Sequence, residues 1–239
     1  YRRYFTTAGK WLPWLVGAED FTEDVLEDWY SYFHQCSQCR RCSVYCPYGI
    51  DTAEISMAGR EIMDHIGVGQ KYSNEIIGKV HDIGNNLGLP ANALRATLED
   101  LEEDLEEETG VEIRLPLDEK GADVLLVTPS ADFFAEPHVD GLLGYAKVFH
   151  QAGTSWTLST HASEAANFAI FTGSYDQMKQ IAERIRKAAE DLGVKRIVVG
   201  ECGHAWRVAY NFWNTLIGPF DFLDQNYPIP QHICEFTHD

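Results

Sequence analysis

Basic residues are scarce in this sequence. Its 239 residues include 19 Lys and Arg against 37 Asp and Glu, which gives a formal net charge of −18 at pH 7. Proteins that bind nucleic acid neutralise phosphates with clustered Lys and Arg, and the nearest thing to such a cluster is Arg2-Arg3. The composition therefore argues against a nucleic-acid partner.

Long apolar stretches are missing as well. A membrane-spanning helix needs about 18 or more predominantly apolar residues, whereas the segment WLPWLVGA at 11–18 is short and contains Pro13. No signal peptide is visible. The chain begins with Tyr1 rather than Met, which we interpret as the mark of a segment of a longer protein or of a processed one.

The cysteines indicate a metal centre. Six cysteines without a secretory signal predict a reducing compartment and metal binding rather than disulfides. Four of them have the spacing C-x2-C-x2-C-x3-C-P, which is typical of a bacterial-type run that holds a [4Fe–4S] cluster. A structural zinc site more usually has two separated C-x2-C pairs, so we favour iron–sulfur over zinc or inert cysteines. The predicted ligands are Cys36, Cys39, Cys42 and Cys46.

The spacing leaves open which cluster the fourth cysteine, Cys46, ligates. In two-cluster proteins it ligates the other cluster, but the sequence contains no second run. Three cysteines at i, i+3 and i+6 can wrap one cubane, whereas Pro47 disfavours helical backbone at Cys46 and directs the chain away. Arg40, Arg41 and backbone N–H groups near the sulfurs are expected to tune the reduction potential. Simple solvent exposure is the alternative for the two arginines.

Capping residues and apolar spacing in the first 110 residues predict helices and no strands. Thr22 is the expected N-cap of a helix over 20–35, and Asp51 with Glu54 begins a capping-box-like helix that runs to about residue 66. Further helices are predicted over 72–87 and 90–109. The last one combines a leucine stripe with an acidic face, which we interpret as solvated. The alternative is a docking surface for a basic partner.

Strands alternate with helices after Gly121. The strands are ADVLLVTPS, SWTLST and RIVVG, and they alternate with a helix over 139–151 and a long helix capped by Ser174. This alternation implies a parallel sheet, and functional groups collect at the carboxyl ends of parallel strands. We therefore predict an α+β protein, with an all-helical, ferredoxin-like cluster domain over 1–110 followed by a parallel-sheet α/β module over 111–239.

Several longer stretches carry a family resemblance. They are CRRCSVYCPYGIDTAEI, VTPSADFFAEP, STHASEAANFAIFT, VGECGHAWRVAY and HICEFTHD. Over nearly its whole length the chain resembles the DsrK-like iron–sulfur subunits, which belong to the heterodisulfide reductase D-like or CCG-domain family. Those subunits serve the membrane complex of dissimilatory sulfur metabolism.

The resemblance implies that this chain is a middle segment. Such proteins carry another four-cysteine run upstream and a second cysteine-rich CCG module downstream, thought to hold an unusual catalytic [4Fe–4S] cluster. On this resemblance, Cys46 completes a cluster whose other ligands lie upstream of Tyr1. Cys36, Cys39 and Cys42 hold a cluster that an upstream cysteine completes, and the chain alone is expected to reconstitute well below one intact cubane.

Residues 111–239 resemble a degenerate CCG module. The Cys-Cys-Gly position corresponds to residues 165–167, which are Ala-Ala-Asn, and Cys202 is the remaining member of a C-x2-C pair. Cys202 and Cys234 are secondary candidates for a metal or redox role shared with the missing module. The alternative is that they are small buried hydrophobic residues.

Candidate proton-handling residues lie at the predicted strand ends. Glu201, Cys202 and His204 are the catalytic candidates. His161 and Glu164 also lie at strand ends and, with Glu201, could handle protons in a thiol–disulfide reduction. Ordinary capping and hydrogen bonding is the alternative role for these side chains.

The resemblance implies an electron-transfer subunit of an oxidoreductase. Electrons from quinol would pass through [4Fe–4S] clusters toward reduction of a disulfide or trisulfide on a small sulfur-carrier protein. The expected partners are a membrane quinol-oxidising cytochrome subunit and other complex subunits, with the chain in the cytoplasm and peripheral at the inner membrane through those partners. Two alternatives stay open. One is an iron–sulfur subunit of another CCG-family enzyme that oxidises glycolate, lactate or glycerol-3-phosphate, and the other is an interaction scaffold with a structural cluster.

Overall fold

The computed structural model describes residues 2–130 and 132–238 of the chain. The chain forms two compact units, 1–68 and 69–239. The units divide earlier than the boundary at 110 predicted from the sequence, because the helix before that boundary packs on the core of the second unit. The assignment of a cluster domain and a CCG-type module to these parts of the chain stays a prediction.

The first unit consists of helices joined by loops and, among its described residues, contains no strand. Thr22 is the N-cap of the third helix and its side chain accepts a hydrogen bond from the Val25 N–H, while the Asp51 carboxylate caps the fifth helix by accepting from the N–H groups of Ala53 and Glu54. Both caps are as predicted from the sequence. The helices are α1 (Arg2–Phe5), α2 (Thr7–Trp11), α3 (Glu23–His34), α4 (Arg41–Val44) and α5 (Thr52–His65).

The second unit begins with two helices and then alternates strands with helices. Its elements are α6 (Lys71–Asp82), α7 (Ala91–Thr109), β1 (Val124–Val127), α8 (His138–Ala152), β2 (Trp156–Thr157), α9 (Asn167–Thr172), α10 (Tyr175–Leu192), β3 (Arg196–Val199), α11 (Gly203–Val208), a π-helical segment (Ala209–Trp213), α12 (Asn214–Ile217), β4 (Gln231–His232) and α13 (Ile233–His238). Ser174 caps α10 as predicted.

Helix α6 ends earlier than the sequence pattern predicts. Helical spacing predicts a helix to residue 87, but the helix ends at Asp82. Gly84 follows with a φ of +111°, and a Cβ at this position would lie 2.6 Å from the Thr160 carbonyl oxygen. Because only glycine combines this φ with such a close approach, tertiary contact ends the helix here.

The sheet is parallel throughout its described strands, in the order β2-β1-β3-β4. Val124 to Val127 of β1 align with Arg196 to Val199 of β3, which confirms the predicted parallel pairing. Mixed helix and parallel sheet is consistent with the predicted α+β class. The short strand β4 and the small helices between 203 and 238 were not predicted.

The core of the second unit joins α7 to the sheet. The leucine stripe predicted on α7 is buried at Leu94, Leu98, Leu101 and Leu105. It shares one apolar cluster with β1, α8 and β3, through side chains that include Leu126, Phe149 and Val198. Burial of this stripe explains why α7 belongs to the second unit. Among the described residues, no helix combines the length and the apolar character that crossing a membrane would require.

Candidate functional site

The cysteine run is anchored on α5 by Arg60. This side chain is fully buried, and its guanidinium donates to the Phe33 carbonyl oxygen from Nε at 2.9 Å and from Nη2 at 2.7 Å. Nη2 also donates to the carbonyl oxygen of Cys36. Arg60 therefore ties the end of α3 and the first cysteine to one face of α5.

Gln38 and Asp51 also fix the loop that carries the run. Gln38 is 1% exposed and donates its side-chain amide to the Ala53 carbonyl oxygen at 3.3 Å. Asp51 accepts from the Ser43 hydroxyl at 2.6 Å and from the Arg40 guanidinium. The Ser43 hydroxyl and the Arg40 guanidinium hold the pKa of Asp51 at about 2. The loop is thus fixed at Gln38, Arg40 and Ser43, which lie between the cysteines.

The backbone of the loop has an uncommon conformation. Gln38 and Arg40 both adopt positive φ, at 58° and 59°. This region is sparsely populated by non-glycine residues because Cβ crowds the backbone. The two turns place Cys39 on an exposed stretch between the anchored residues, and α4 begins directly after Arg40.

The four thiols of the run are free and accessible to different degrees. Cys39 and Cys42 are exposed, whereas Cys36 and Cys46 are half-buried. The Cys36 and Cys46 sulfurs each accept a backbone N–H at 3.4 Å, from Gln38 and Ile50 respectively, and the Thr52 hydroxyl donates to the Cys42 sulfur. Donors of this kind stabilise thiolates and raise cluster potentials.

The Cys39 thiol has N–H and O–H donors next to its sulfur. The Arg41 N–H and then the Ser37 hydroxyl, together with the nearby Arg41 charge, lower the pKa of Cys39. A thiolate is the form that binds metal. Cys46 follows the end of α4 outside helical backbone, as Pro47 predicts.

The donor set fits a thiolate-bound iron–sulfur cluster in its chemistry. It consists of free thiols on an anchored loop with N–H and O–H donors to sulfur. Within residues 2–130 and 132–238, no group of three or more His, Cys, Asp or Glu side chains is positioned to hold a metal ion. The convergence of the four sulfurs on one site therefore stays a prediction, as does the assignment of Cys46 to a second cluster.

A second polar site lies at the carboxyl edge of the sheet, after β1 and β3. Ser130 donates its N–H to the Asp132 carboxylate at 2.9 Å and its hydroxyl to the Glu201 carboxylate at 2.7 Å. The His138 Nδ1 atom lies 3.3 Å from the same Glu201 oxygen. The structure thus brings the candidate Glu201 together with three residues that sequence reasoning did not single out.

Asp132 is the buried member of this site, at 1% exposure. Burial, and then the charge and hydrogen bond of Glu201, raise the pKa of Asp132 from 3.8 to about 7. Two carboxyl groups can hydrogen-bond to one another only if one of them carries a proton. Burial, with Glu201 and Asp132 nearby, also raises the pKa of Tyr145 to about 12.

The remaining strand-end candidates have structural partners. Glu164 is buried and accepts from the N–H groups of Ala166 at 2.7 Å and Phe168 at 3.2 Å, so it caps the start of α9. Burial raises the pKa of Glu164 to about 7. His161 contacts the Arg184 guanidinium through Nδ1 at 3.3 Å. Capping, the alternative weighed from the sequence, is therefore the observed role of Glu164.

Cys202 and Cys234 follow neighbouring strands. Cys202 comes after β3 and is the N-cap residue of α11, while Cys234 comes after β4, which pairs with β3. Burial, with Glu201 and Glu164 nearby, raises the pKa of Cys202. Cys234 is exposed and lines a groove of about 720 Å³ with residues 226–231 and Glu235. His204 packs its ring against Phe171 at 4.9 Å between centroids.

Sequence reasoning missed Arg60 and Asp132 for different reasons. Arg60 stands in an amphipathic helix, where a lone arginine suggests solvent exposure. Asp132 lies in PSADFF directly after a predicted strand, which is where functional groups collect in parallel sheets. That position was a usable signal, whereas nothing in the local pattern marks Arg60.

The pH dependence of stability tests the carboxyl pair. Below pH 3.8 Asp132 is protonated in both the folded and unfolded states, and between pH 3.8 and about 7 only the folded state keeps the proton. The stabilising contribution is therefore complete at low pH and lost as the pH rises toward 7. The asparagine of Asp132→Asn can make the same hydrogen bonds but does not titrate. Between pH 4.5 and 8, we therefore expect the unfolding free energy of this variant to fall by about 2 kcal/mol less than that of the parent chain.

Native-state hydrogen exchange of the β1 and β3 amides, corrected for the intrinsic exchange rate at each pH, measures this difference in the second unit. Asp104→Asn on the exposed face of α7 is the control, and its profile should stay within about 0.5 kcal/mol of the parent chain. An Asp132→Asn profile parallel to that of the parent would show that Asp132 carries no shifted proton.

A helical unit that presents four free thiols, in a chain that also forms a parallel α/β unit, defines a candidate iron–sulfur protein. Two proteins from Archaeoglobus species are similar in sequence to this chain. The Hdr-like menaquinol oxidoreductase iron-sulfur subunit 2 of Archaeoglobus fulgidus is 44% identical over 220 residues, which cover 90% of this chain and 40% of that protein. The Hdr-like menaquinol oxidoreductase iron-sulfur subunit of Archaeoglobus profundus is 43% identical over 223 residues, with 92% and 40% covered.

These similarities cover most of this chain but less than half of each relative. The chain spans about 40% of the length of the curated relatives it matches. They support the Hdr-like part of the resemblance drawn from the sequence motifs and the iron–sulfur character of the chain. No protein-family model matches the chain, and no solved structure matches it.

Proposed function

We propose that this chain is the cluster-binding part of an iron–sulfur subunit in an Hdr-like quinol oxidoreductase. The observation that carries the proposal is the cysteine run itself. Its four thiols are free, the loop around them is pinned to α5 by Arg60, Gln38 and Asp51, and the sulfurs meet N–H and O–H donors. Identity of 43–44% to two proteins that carry the iron-sulfur subunit name supports it.

The proposed ligands are Cys36, Cys39, Cys42 and Cys46. A [4Fe–4S] cluster supplies reversible one-electron transfer when bound. The chain's own contribution is to keep the thiolates available and oriented. Arg60 and Gln38 hold the loop, the N–H groups of Gln38 and Ile50 lie near two of the sulfurs, and the Thr52 hydroxyl lies near a third.

The chain would exchange electrons with two partners. We propose a membrane quinol-oxidising cytochrome subunit on one side and reduction of a disulfide or trisulfide on a sulfur-carrier protein on the other, in dissimilatory sulfur metabolism of the DsrK type. The motif resemblance supports this, and the word menaquinol in the relatives' names supports the quinol. Glu201, Cys202 and His204 stay the catalytic candidates at the sheet edge, and we propose a cytoplasmic position at the inner membrane.

Anaerobic reconstitution tests the ligand assignment. We expect the chain to bind iron and sulfide in equal amounts, below the four irons of an intact cubane, with an EPR signal after reduction. Alanine at Cys36, Cys39 or Cys42 should lower the iron bound at least about fivefold, because each thiolate takes a different iron. Iron and sulfide analysis with EPR measures the outcome, and a redox titration shows whether the cluster cycles reversibly.

Cys202→Ala and Cys234→Ala are the matched controls. Iron content close to that of the parent chain in both variants would confine the ligand set to the run. Iron binding that survives alanine at all four run cysteines would contradict the proposal. A cluster that cannot be reduced and reoxidised would contradict an electron-transfer role and favour an interaction scaffold with a structural cluster.

A further inference from the structure

The first described residues of the chain expose an unusual amount of apolar surface. Trp11 and Trp14 are 79% and 77% exposed, and Phe5 is 73% exposed. Singly exposed apolar side chains are ordinary, but a contiguous group marks an interaction surface. We call residues 2–17 the aromatic knob; its exposed large apolar side chains are Tyr4, Phe5, Trp11, Leu12, Trp14 and Leu15.

The aromatic knob is folded, so these side chains are not simply those of a loose end. Helices α1 and α2 approach so closely at Gly9 that a Cβ there would lie 1.7 Å from the Arg2 carbonyl oxygen. Thr6 caps α2 by accepting from the Gly9 N–H at 2.9 Å. The Tyr4 hydroxyl accepts from the Phe21 N–H at 2.8 Å. Polar contacts thus hold the backbone while the large apolar groups face outward.

The charge of the aromatic knob is opposite to that of the chain. It contains Arg2, Arg3 and Lys10 and no acidic residue, whereas the chain as a whole carries a net charge of −18. Arg3 pairs with Asp20 at 2.6 Å, and Lys10 is exposed. Exposed tryptophans together with basic side chains are the composition of segments that lie in the interface of an anionic membrane.

We propose that the aromatic knob is a docking site for an anionic lipid surface. Trp11 and Trp14, with the neighbouring leucines, enter the headgroup region, and the exposed side chains of Arg2 and Lys10 face the lipid phosphates. The remainder of the chain is acidic and is repelled by the same surface. Charge complementarity favours this occupant, because residues 2–17 contain three basic residues and no acidic one.

Vesicle flotation tests the proposal with the full chain and does not depend on iron binding. The probes are vesicles of 70% phosphatidylcholine with 30% phosphatidylglycerol, and vesicles of phosphatidylcholine alone. We expect binding to the anionic vesicles to be at least about fivefold stronger, and about threefold weaker at 0.5 M NaCl because salt screens surface charge. The Trp11→Ser/Trp14→Ser double variant should bind about tenfold more weakly, and Lys10→Glu about threefold.

Tyr72→Ser and Tyr210→Ser are the matched controls, since both tyrosines are about as exposed as the knob residues, at 64% and 65%, but lie outside the aromatic knob. They should bind like the parent chain. Circular dichroism of the tryptophan variant should match the parent, because both indoles are exposed. Absence of vesicle binding, equal binding to both vesicles, or full binding by the double tryptophan variant would overturn the proposal, and the first result would leave a protein partner as the occupant.

Discussion

Arg60→Leu is expected to lower the free energy of unfolding of the first unit by about 3 kcal/mol. The arginine is fully buried and donates to the carbonyl oxygens of Phe33 and Cys36. Leucine leaves these acceptors without their donor, and hydrogen bonds to a charged donor contribute about 1.5–3 kcal/mol each before non-additivity is considered. The end of α3 and the start of the cysteine run should loosen together.

Native-state hydrogen exchange measures this effect in each unit separately, because one midpoint does not describe a chain with two compact units. Amides of α3 and α5 should exchange faster in Arg60→Leu, while those of β1 and β3 should not change. Arg41→Gln is the control, since Arg41 is exposed in the same unit, and it should stay within about 0.5 kcal/mol. Unchanged exchange in α3 would mean that Arg60 does not hold the run.

Leu105→Ala is expected to lower the free energy of unfolding of the second unit by about 3 kcal/mol. Leu105 has no exposed surface and lies in the apolar cluster that includes Leu126 and Phe149. Truncation of a buried leucine removes apolar contact and leaves a cavity, and such changes cost about 2–5 kcal/mol. The effect should be felt in the sheet, although Leu105 lies before the boundary at 110 predicted from the sequence.

The exchange pattern decides where Leu105 belongs. Amides of β1, β3 and α8 should lose protection, and those of α5 should keep it. Glu103→Ala, on the exposed face of the same helix, should leave both groups within about 0.5 kcal/mol. Loss of protection in α5 rather than in β1 would place α7 with the first unit and contradict the division at 68.

Local sequence patterns determined much of the secondary structure. Side-chain caps at Thr22, Asp51 and Ser174 start α3, α5 and α10, and the apolar strands near 124 and 196 pair in parallel as predicted. These features depend on residues within one or two turns, or on an alternation of strand and helix that permits few topologies. The cysteine spacing likewise marked a candidate cluster segment, because spacing is itself the chemical signal.

Tertiary structure alone decided how the two sites are held. Arg60 contacts a carbonyl 27 residues away, and Ser130 contacts a carboxylate 71 residues away. Helical periodicity could not place Arg60 inside the unit, since a charge is buried only where distant acceptors surround it. In the same way, the leucine stripe of α7 predicted an apolar face but not its partner. Which surface covers such a face depends on chain segments that meet only after folding, so the division of the chain into units follows from packing and not from any local signal.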